Sequence, residues 1–419
     1  AALVVIAGVV VLYQGGFPAP ALSIGVALVL AFLIVLLIRY LLLLWLGYLH
    51  HIESRRATEI EGAEPRVTII VPVYNEAMVI VAALNSLLAL RYRAFDILVI
   101  DDGSTDDTYE WAASFQGQHG NTTLRVVRKS NGGKASALNT GIALARTPLV
   151  LCMDGDSRLE PDTLRCAVRH FADARVGAVA GNVKVVNRNN VWTRLQALEY
   201  IEGLNLPRRA QGFLRAVNII PGPIGIFRRD VVHAVGGYDT DTFAEDADLT
   251  LKILAAGWHI VYEERAVAWT EAPEHLLDLI KQRYRWTRGI LQAVRKRAGE
   301  LARPKQSIIV WLSVAALLFE AVLWPMLNVL GNLLFVVAAL STGITSGVFY
   351  WWVLLTMLDV AAALHTVAME EEELMLVPYA VVYRLVFITM IDVAKLFAAV
   401  EQLVNVRMTW GKLERAGRI

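Results

Sequence analysis

Apolar residues crowd the two ends of this chain, and that uneven distribution limits its fold more than any single motif does. Ala21–Tyr48 offers more than enough apolar residues for a bilayer crossing, and Ile308–Leu340, Gly347–Met369 and Leu374–Val400 follow toward the other end. Inside lipid such segments must satisfy their own backbone hydrogen bonds, so α-helices are expected. The whole chain is 56% hydrophobic and 19% charged, where a soluble protein runs at about half and about a quarter. The predicted layout is therefore N-terminal transmembrane helices (1–48), a soluble-type domain (66–273), an amphipathic region (274–306), C-terminal transmembrane helices (307–404) and a polar tail (405–419).

The flanks add orientation. Arg55, Arg56 and Arg66 follow the first full span, and Arg407, Lys412, Arg415 and Arg418 mark the tail. Positive charge on both sides places the middle domain and the tail in the cytoplasm, with the chain multi-pass in the inner (plasma) membrane. Three crossings after a cytoplasmic domain would end outside, so block count and charge disagree; the charge rule is preferred. Ile308–Leu340 is too long for one span and carries Pro325, Asn328 and Gly331, which suggests two short helices or a re-entrant pair. Glu320, Asp359, Arg384, Asp392 and Lys395 fall within these blocks, where they either face a polar cavity or snorkel to an interface. Ala1–Tyr13 is apolar but short of a full span and precedes a Gly/Pro break at Gln14–Pro20. With no Met at its start, the chain leaves room for residues upstream.

From Val67 the pattern alternates. Strands are predicted at Val67–Val71, Asp96–Ile100, Leu124–Val127, Pro148–Met153 and Val176–Ala180, and helices at Met78–Leu90, from about Asp106, Lys134–Arg146 and Pro161–Ala172. Such alternation implies an α/β fold, a mainly parallel sheet covered on both faces, with ligands at the carboxyl ends of its strands. Two acidic strand ends fall there: Asp101-Asp102 and Asp154-Gly155-Asp156. A lone Asp-x-Asp reads as a solvated turn or as a grip on a divalent cation and diphosphate; two such ends on one edge favour the second. Gly155 is expected to allow a sharp turn. Further on, Trp192–Arg215 and His275–Arg297 read as amphipathic helices, the latter suited to a membrane surface. A helix at Glu245–Ala256 carries Glu245, Asp246 and Asp248 in its first turn. A net charge of +1 without a basic tract excludes nucleic acid as the main partner. Cys152 and Cys166 make no metal-like pair, which suits a reducing compartment.

Four more stretches accompany the Asp-Gly-Asp turn: Pro72-Val73-Tyr74-Asn75-Glu76, Asp101-Asp102-Gly103-Ser104, Phe243-Ala244-Glu245-Asp246, and Gln282-Arg283-Tyr284-Arg285-Trp286. In this order they resemble the family 2 glycosyltransferases of GT-A fold (a Rossmann-like mixed sheet), in particular the membrane-embedded processive branch. That branch includes hyaluronan, cellulose, chitin-type and poly-N-acetylglucosamine synthases. The resemblance spans Val67–Arg288, and the flanking spans in layout. It implies a hexosyltransferase that extends a β-linked polysaccharide from a UDP-sugar, most nearly UDP-N-acetylglucosamine, and passes the polymer through its own channel. Its implied partners are the donor, the polysaccharide acceptor, membrane lipid and accessory export proteins.

By the same resemblance Tyr74, Glu76, Asp101, Asp102, Lys134, Asp154 and Arg285 bind the nucleotide, with the amides of Asn131-Gly132-Gly133 meeting phosphate. Asp156, with Asp154, holds Mg²⁺ or Mn²⁺. Asp246 is the general base, with Glu245 beside it; Ala244 stands where the family usually has Thr. Gln282 and Trp286 contact the acceptor, and Gly222 and Pro223 with Arg228-Arg229 shape its side. Glu199 and Tyr200, on the amphipathic helix, read first as packing residues and second as acceptor contacts. Two other classes stay open: a non-processive enzyme acting on a lipid carrier, and a channel with an inactive nucleotide-binding domain.

Overall fold

The computed structural model describes residues 19–56, 64–303, 306–341, 345–406 and 417. The Ala1–Tyr13 segment and nearly all of the basic tail lie outside them.

Nine strands form one sheet: β1 (Val67–Val73), β2 (Phe95–Asp101), β3 (Gly117–His119), β4 (Thr122–Arg128), β5 (Leu149–Cys152), β6 (Ser157–Leu159), β7 (Val176–Val185), β8 (Gly225–Arg228) and β9 (His259–Thr270). Their order is β3-β4-β2-β1-β5-β8-β7-β9-β6. The β1–β2, β1–β5, β2–β4 and β7–β9 pairings are parallel. β8 runs antiparallel between β5 and β7, and β3 and β6 run antiparallel at the edges. The sheet is thus mixed and mainly parallel. β1 and β5 are buried throughout, as continuous apolar strands covered on both faces must be.

β3, β6, β8 and β9 have no counterpart in the periodicity reading. β9 is masked by its own charges: its register against β7 slips between Gly181↔Glu263 and Asn182↔Val267, leaving Glu264, Arg265 and Ala266 as a bulge. The bulge aims Glu264 at Arg209. That guanidinium also pairs with Glu370 at 2.9 Å and meets His51 of the first long helix.

The helix expected over Trp192–Arg215 comes in three pieces: Val191–Glu199, a π-turn at Tyr200–Asn205, and Leu206–Phe213. Asn190 and Thr193 form its capping box. Pro207 offers no N–H to the carbonyl four residues back, and the wider turn absorbs the loss. Pro325 behaves alike. It follows a π-turn at Phe319–Leu323, and the helix runs on from Ile308 to Ser341 instead of splitting into two short helices.

Among the described residues four helical stretches are long and apolar enough to cross a bilayer: Ile34–Ser54, Ile308–Val337, Trp352–Met369 and Leu374–Leu403. Several of their polar residues pair across helices. Arg39 bonds Glu320 at 2.9 Å, and Tyr40 donates to Asp359 at 2.7 Å. Arg384 grips Asp359, and Asn328 donates to Asp392 at 2.6 Å. Arg384, Asp359 and Asp392 are fully buried, so they do not snorkel.

Candidate active site

The carboxyl ends of β1, β2 and β5 meet at one edge, and the loops that leave them are knitted together. Asp101 closes β2 fully buried, accepts from the Ser104 amide at 3.2 Å and lies 3.2 Å from the Arg128 guanidinium. Asp102 accepts from Lys129 Nζ at 2.6 Å and from the amides of Gly132 and Gly133. Those two amides, expected to meet phosphate, are therefore committed to Asp102. Asn75, held at φ 52°, accepts from the Thr105 amide, and the Glu76 amide donates to Thr108. Gly155 proves necessary for closeness rather than for a turn, because a Cβ there would stand 2.9 Å from Val73 and 3.0 Å from the Pro72 carbonyl.

Beside this edge lies a cavity of about 260 Å³. Lys134, Asp154 and Asp156 line one part; Glu245 and Asp246, Tyr200 with Arg208, and Gln282, Arg285 and Trp286 line the rest, with Gly222 and Pro223 at the rim. Tyr74, Glu76, Asp101 and Asp102 are not part of its wall. Asp246 thus shares a space with Asp156 and Trp286, while Asp102 stands behind the loop that carries Lys134.

Charge is concentrated around Lys134, whose ammonium lies 2.5 Å from Asp154 and 2.9 Å from Glu245. Its pKa stays above the ordinary lysine value despite burial, because the carboxylates of Asp154, Glu245 and Asp246 surround it. Asp246 is pushed up to about 6, first by burial and then by the neighbouring Glu245 charge, with Lys134 pulling the other way. Its position in a helical first turn and the Ala247 amide at 2.7 Å favour the anion, yet burial and Glu245 outweigh them. Gly222 closes the rim so tightly that a Cβ would fall 2.9 Å from both Asp154 Oδ2 and Lys134 Nζ.

Asp154 and Asp156 are the oxygen donors available for a cation. No cluster of three His, Cys, Asp or Glu ligands occurs among the described residues. Two carboxylates suit Mg²⁺ or Mn²⁺ that draws its other ligands from substrate phosphates and water, so the residues fit.

Residues 65–289 match the model of the family described as glycosyltransferase like family 2. The chain belongs to that family. Among its relatives, the poly-beta-1,6-N-acetyl-D-glucosamine synthase of Staphylococcus aureus (strain COL) is 35% identical over 232 residues, 55% of each chain. That of Staphylococcus epidermidis is 31% identical over 265 residues, 63% of this chain and 62% of the relative. The chain matches less than two thirds of the length of these curated relatives. The solved mannosyltransferase PcManGT from Pyrobaculum calidifontis, in complex with GDP-Man and Mn²⁺, aligns with a TM-score of 0.60 at 23% identity. The alignment covers 92% of this chain and 99% of that one and speaks for a shared GT-A fold.

In this family 2 chain the Gln-x-x-Arg-Trp segment lies on the Leu276–Leu301 helix, and Gln282, Arg285 and Trp286 all face the cavity. Trp286 is not a bare interfacial anchor. The Arg283 guanidinium stacks 4.2 Å from its ring, Tyr200 packs at 6.5 Å, and Glu199 holds Arg283 through both oxygens at 2.9 and 2.5 Å. Glu199, an acceptor contact only by second reading, is therefore spent on Arg283, whereas Tyr200 does line the site. Arg228 and Arg229 are not at the site either; they donate to the carbonyls of Phe171, Val176 and Ala145. Arg283 and Arg208 escaped the sequence reading. Arg283 sits inside a motif whose other members drew the attention, and Arg208 is hidden in the pair Arg208-Arg209.

Proposed function

We propose that this chain is a processive, inverting glycosyltransferase that takes UDP-N-acetylglucosamine and extends a β-linked polysaccharide. One observation carries the reading: Asp246, Asp156 and Trp286 wall a single cavity in a chain that also has helices of membrane length. Asp154 and Asp156 would hold Mg²⁺ or Mn²⁺ on the donor's diphosphate, where the ion supplies the positive charge that a departing nucleotide needs. Lys134 and Arg285 bind phosphate oxygens, and Asp101, Asp102, Tyr74 and Glu76 shape the edge along which the nucleoside lies. Trp286 stacks on the acceptor sugar, with Gln282 beside it and Gly222-Pro223 forming the rim. Asp246, with a pKa near neutrality, takes the proton of the acceptor hydroxyl as its oxygen attacks the anomeric carbon. Burial and the neighbouring Glu245 charge raise that pKa, against the pull of Lys134.

The sheet domain faces the cytoplasm, and the polymer leaves between the membrane helices. Leu374–Leu403 is anchored at both ends on the domain side, through Arg194 to Tyr379 and Arg288 to Gln402. We read it as a helix that lies along the domain without crossing, which leaves the tail cytoplasmic and reconciles block count with charge. The names of the curated relatives favour N-acetylglucosamine as the sugar.

The test is turnover by the purified chain in detergent. UDP should be released from UDP-N-acetylglucosamine only with Mg²⁺ or Mn²⁺ present, and the product should be a long, lipid-free glycan. Release of no UDP, or a single sugar attached to a lipid, would overturn the reading.

A further inference from the structure

Among the described residues five arginines are buried: Arg208, Arg209, Arg283, Arg288 and Arg384. Four of them rest on carboxylates. Arg209 has Glu370 and Glu264, Arg283 has Glu199, Arg288 has Glu401, and Arg384 has Asp359. Arg208 has none among the described residues; its side-chain hydrogen bond goes to Asn205 Oδ1 at 3.3 Å. Yet its residue is only 9% exposed and lines the cavity.

Burying a guanidinium without a counter-charge is unfavourable, and here burial lowers its pKa below the ordinary arginine value. A group kept at that cost in a substrate cavity is waiting for a ligand. Which ligand follows from its surroundings. The charges that reach Arg208 are those of Tyr262, Tyr200 and Asp246, whereas Lys134 answers to Asp154, Glu245 and Asp246. Both cations feel the charge of Asp246, but the rest of their surroundings differ. The Lys134 side has the carboxylate pair for a cation. The Arg208 side has Tyr200, Leu204 and Trp286, an apolar and aromatic wall suited to a sugar face.

We infer that Arg208 is an acceptor-binding residue, its planar fork donating to adjacent hydroxyl or carbonyl oxygens of the glycan's terminal sugar so that the attacking hydroxyl is held toward Asp246. The inference deepens the function proposed above and rests on it for the identity of the sugar. Arg208 adds a polar grip on the acceptor, set apart from the Arg285 site on the helix of Trp286.

The test uses the full chain in detergent with UDP-N-acetylglucosamine, a divalent cation and a β-1,6-linked N-acetylglucosamine pentasaccharide. Arg208→Gln should leave the KM for the donor within about twofold. It should raise the half-saturating pentasaccharide concentration at least about tenfold and shorten the products, as loss of a charged hydrogen bond implies. Arg208→Lys should recover part of the acceptor affinity. Removing a buried charge that lacks a partner should leave the Tm of Arg208→Gln equal to or above that of the parent. Pentasaccharide binding without donor, followed calorimetrically, separates this inference from the function reading. If the parent binds the glycan and the variant does not, Arg208 keeps its role even should UDP-N-acetylglucosamine prove the wrong donor. A raised donor KM with unchanged acceptor affinity would overturn the inference. So would unchanged binding of both, or a lowered Tm with both lost.

Discussion

The acid limb of the pH–rate profile tests the proposed base most directly. Asp246 is pushed up to about 6, so it is half protonated near that pH. A general base works only when deprotonated, and its raised pKa moves the loss of activity upward into an accessible range. The kcat/KM for the acceptor should be flat above pH 7.5, halved near 6 and about one tenth at pH 5. The two neighbours should move this midpoint in opposite directions. Glu245 raises it, so Glu245→Gln shifts the limb to lower pH; Lys134 lowers it, so Lys134→Gln shifts the limb to higher pH. Asp246→Asn should lower kcat by about 10²–10⁴-fold, or about 3–5 kcal/mol of barrier, while donor binding stays. The assay is initial UDP release at acceptor concentrations well below saturation between pH 4.5 and 9. A limb that keeps its midpoint in both neighbour variants would refute the assignment of Asp246.

Three further outcomes are expected. Glu199→Gln leaves Arg283 buried without its counter-charge and loosens Trp286, so it should cost about 3 kcal/mol of stability and weaken acceptor binding before donor binding, read by thermal melts and separate KM values. Gly222→Ala puts a methyl 2.9 Å from Asp154 and Lys134; Tm should hold within a few degrees while the divalent-cation concentration for half-maximal turnover rises several-fold. Asp102→Ala strips the acceptor from Gly132, Gly133 and Lys129, so it should cost about 2 kcal/mol of stability as well as donor affinity. A change in donor KM alone would show that Asp102 is not part of the scaffold.

Much of the fold was legible because its signals are local. The buried strands β1, β2 and β5 are short apolar runs, and β2 and β5 end in acidic turns. β9 was not legible, since Glu263, Glu264 and Arg265 interrupt its alternation at the bulge. The residues drawn together around the cavity were named from motif order, which already implies a shared edge. Their partners were another matter. That Asp102 would occupy the Gly132 and Gly133 amides, or that Glu199 would be taken by Arg283 across 84 positions of sequence, depends on contacts that spacing does not encode. Arg208 is the extreme case, because its meaning lies in what it lacks.

Arg209 carries a practical consequence. Its charge is shared between the β9 bulge, the turn that leaves one membrane helix, and His51 of another, and its own helix packs along Ala19–Arg56. Excising residues 64–303 as a water-soluble fragment would strip that helix of its cover and leave half of a buried ion network unanswered. The sheet is better regarded as a structure completed by insertion into the bilayer than as an autonomous module, and expression strategies should keep the two together.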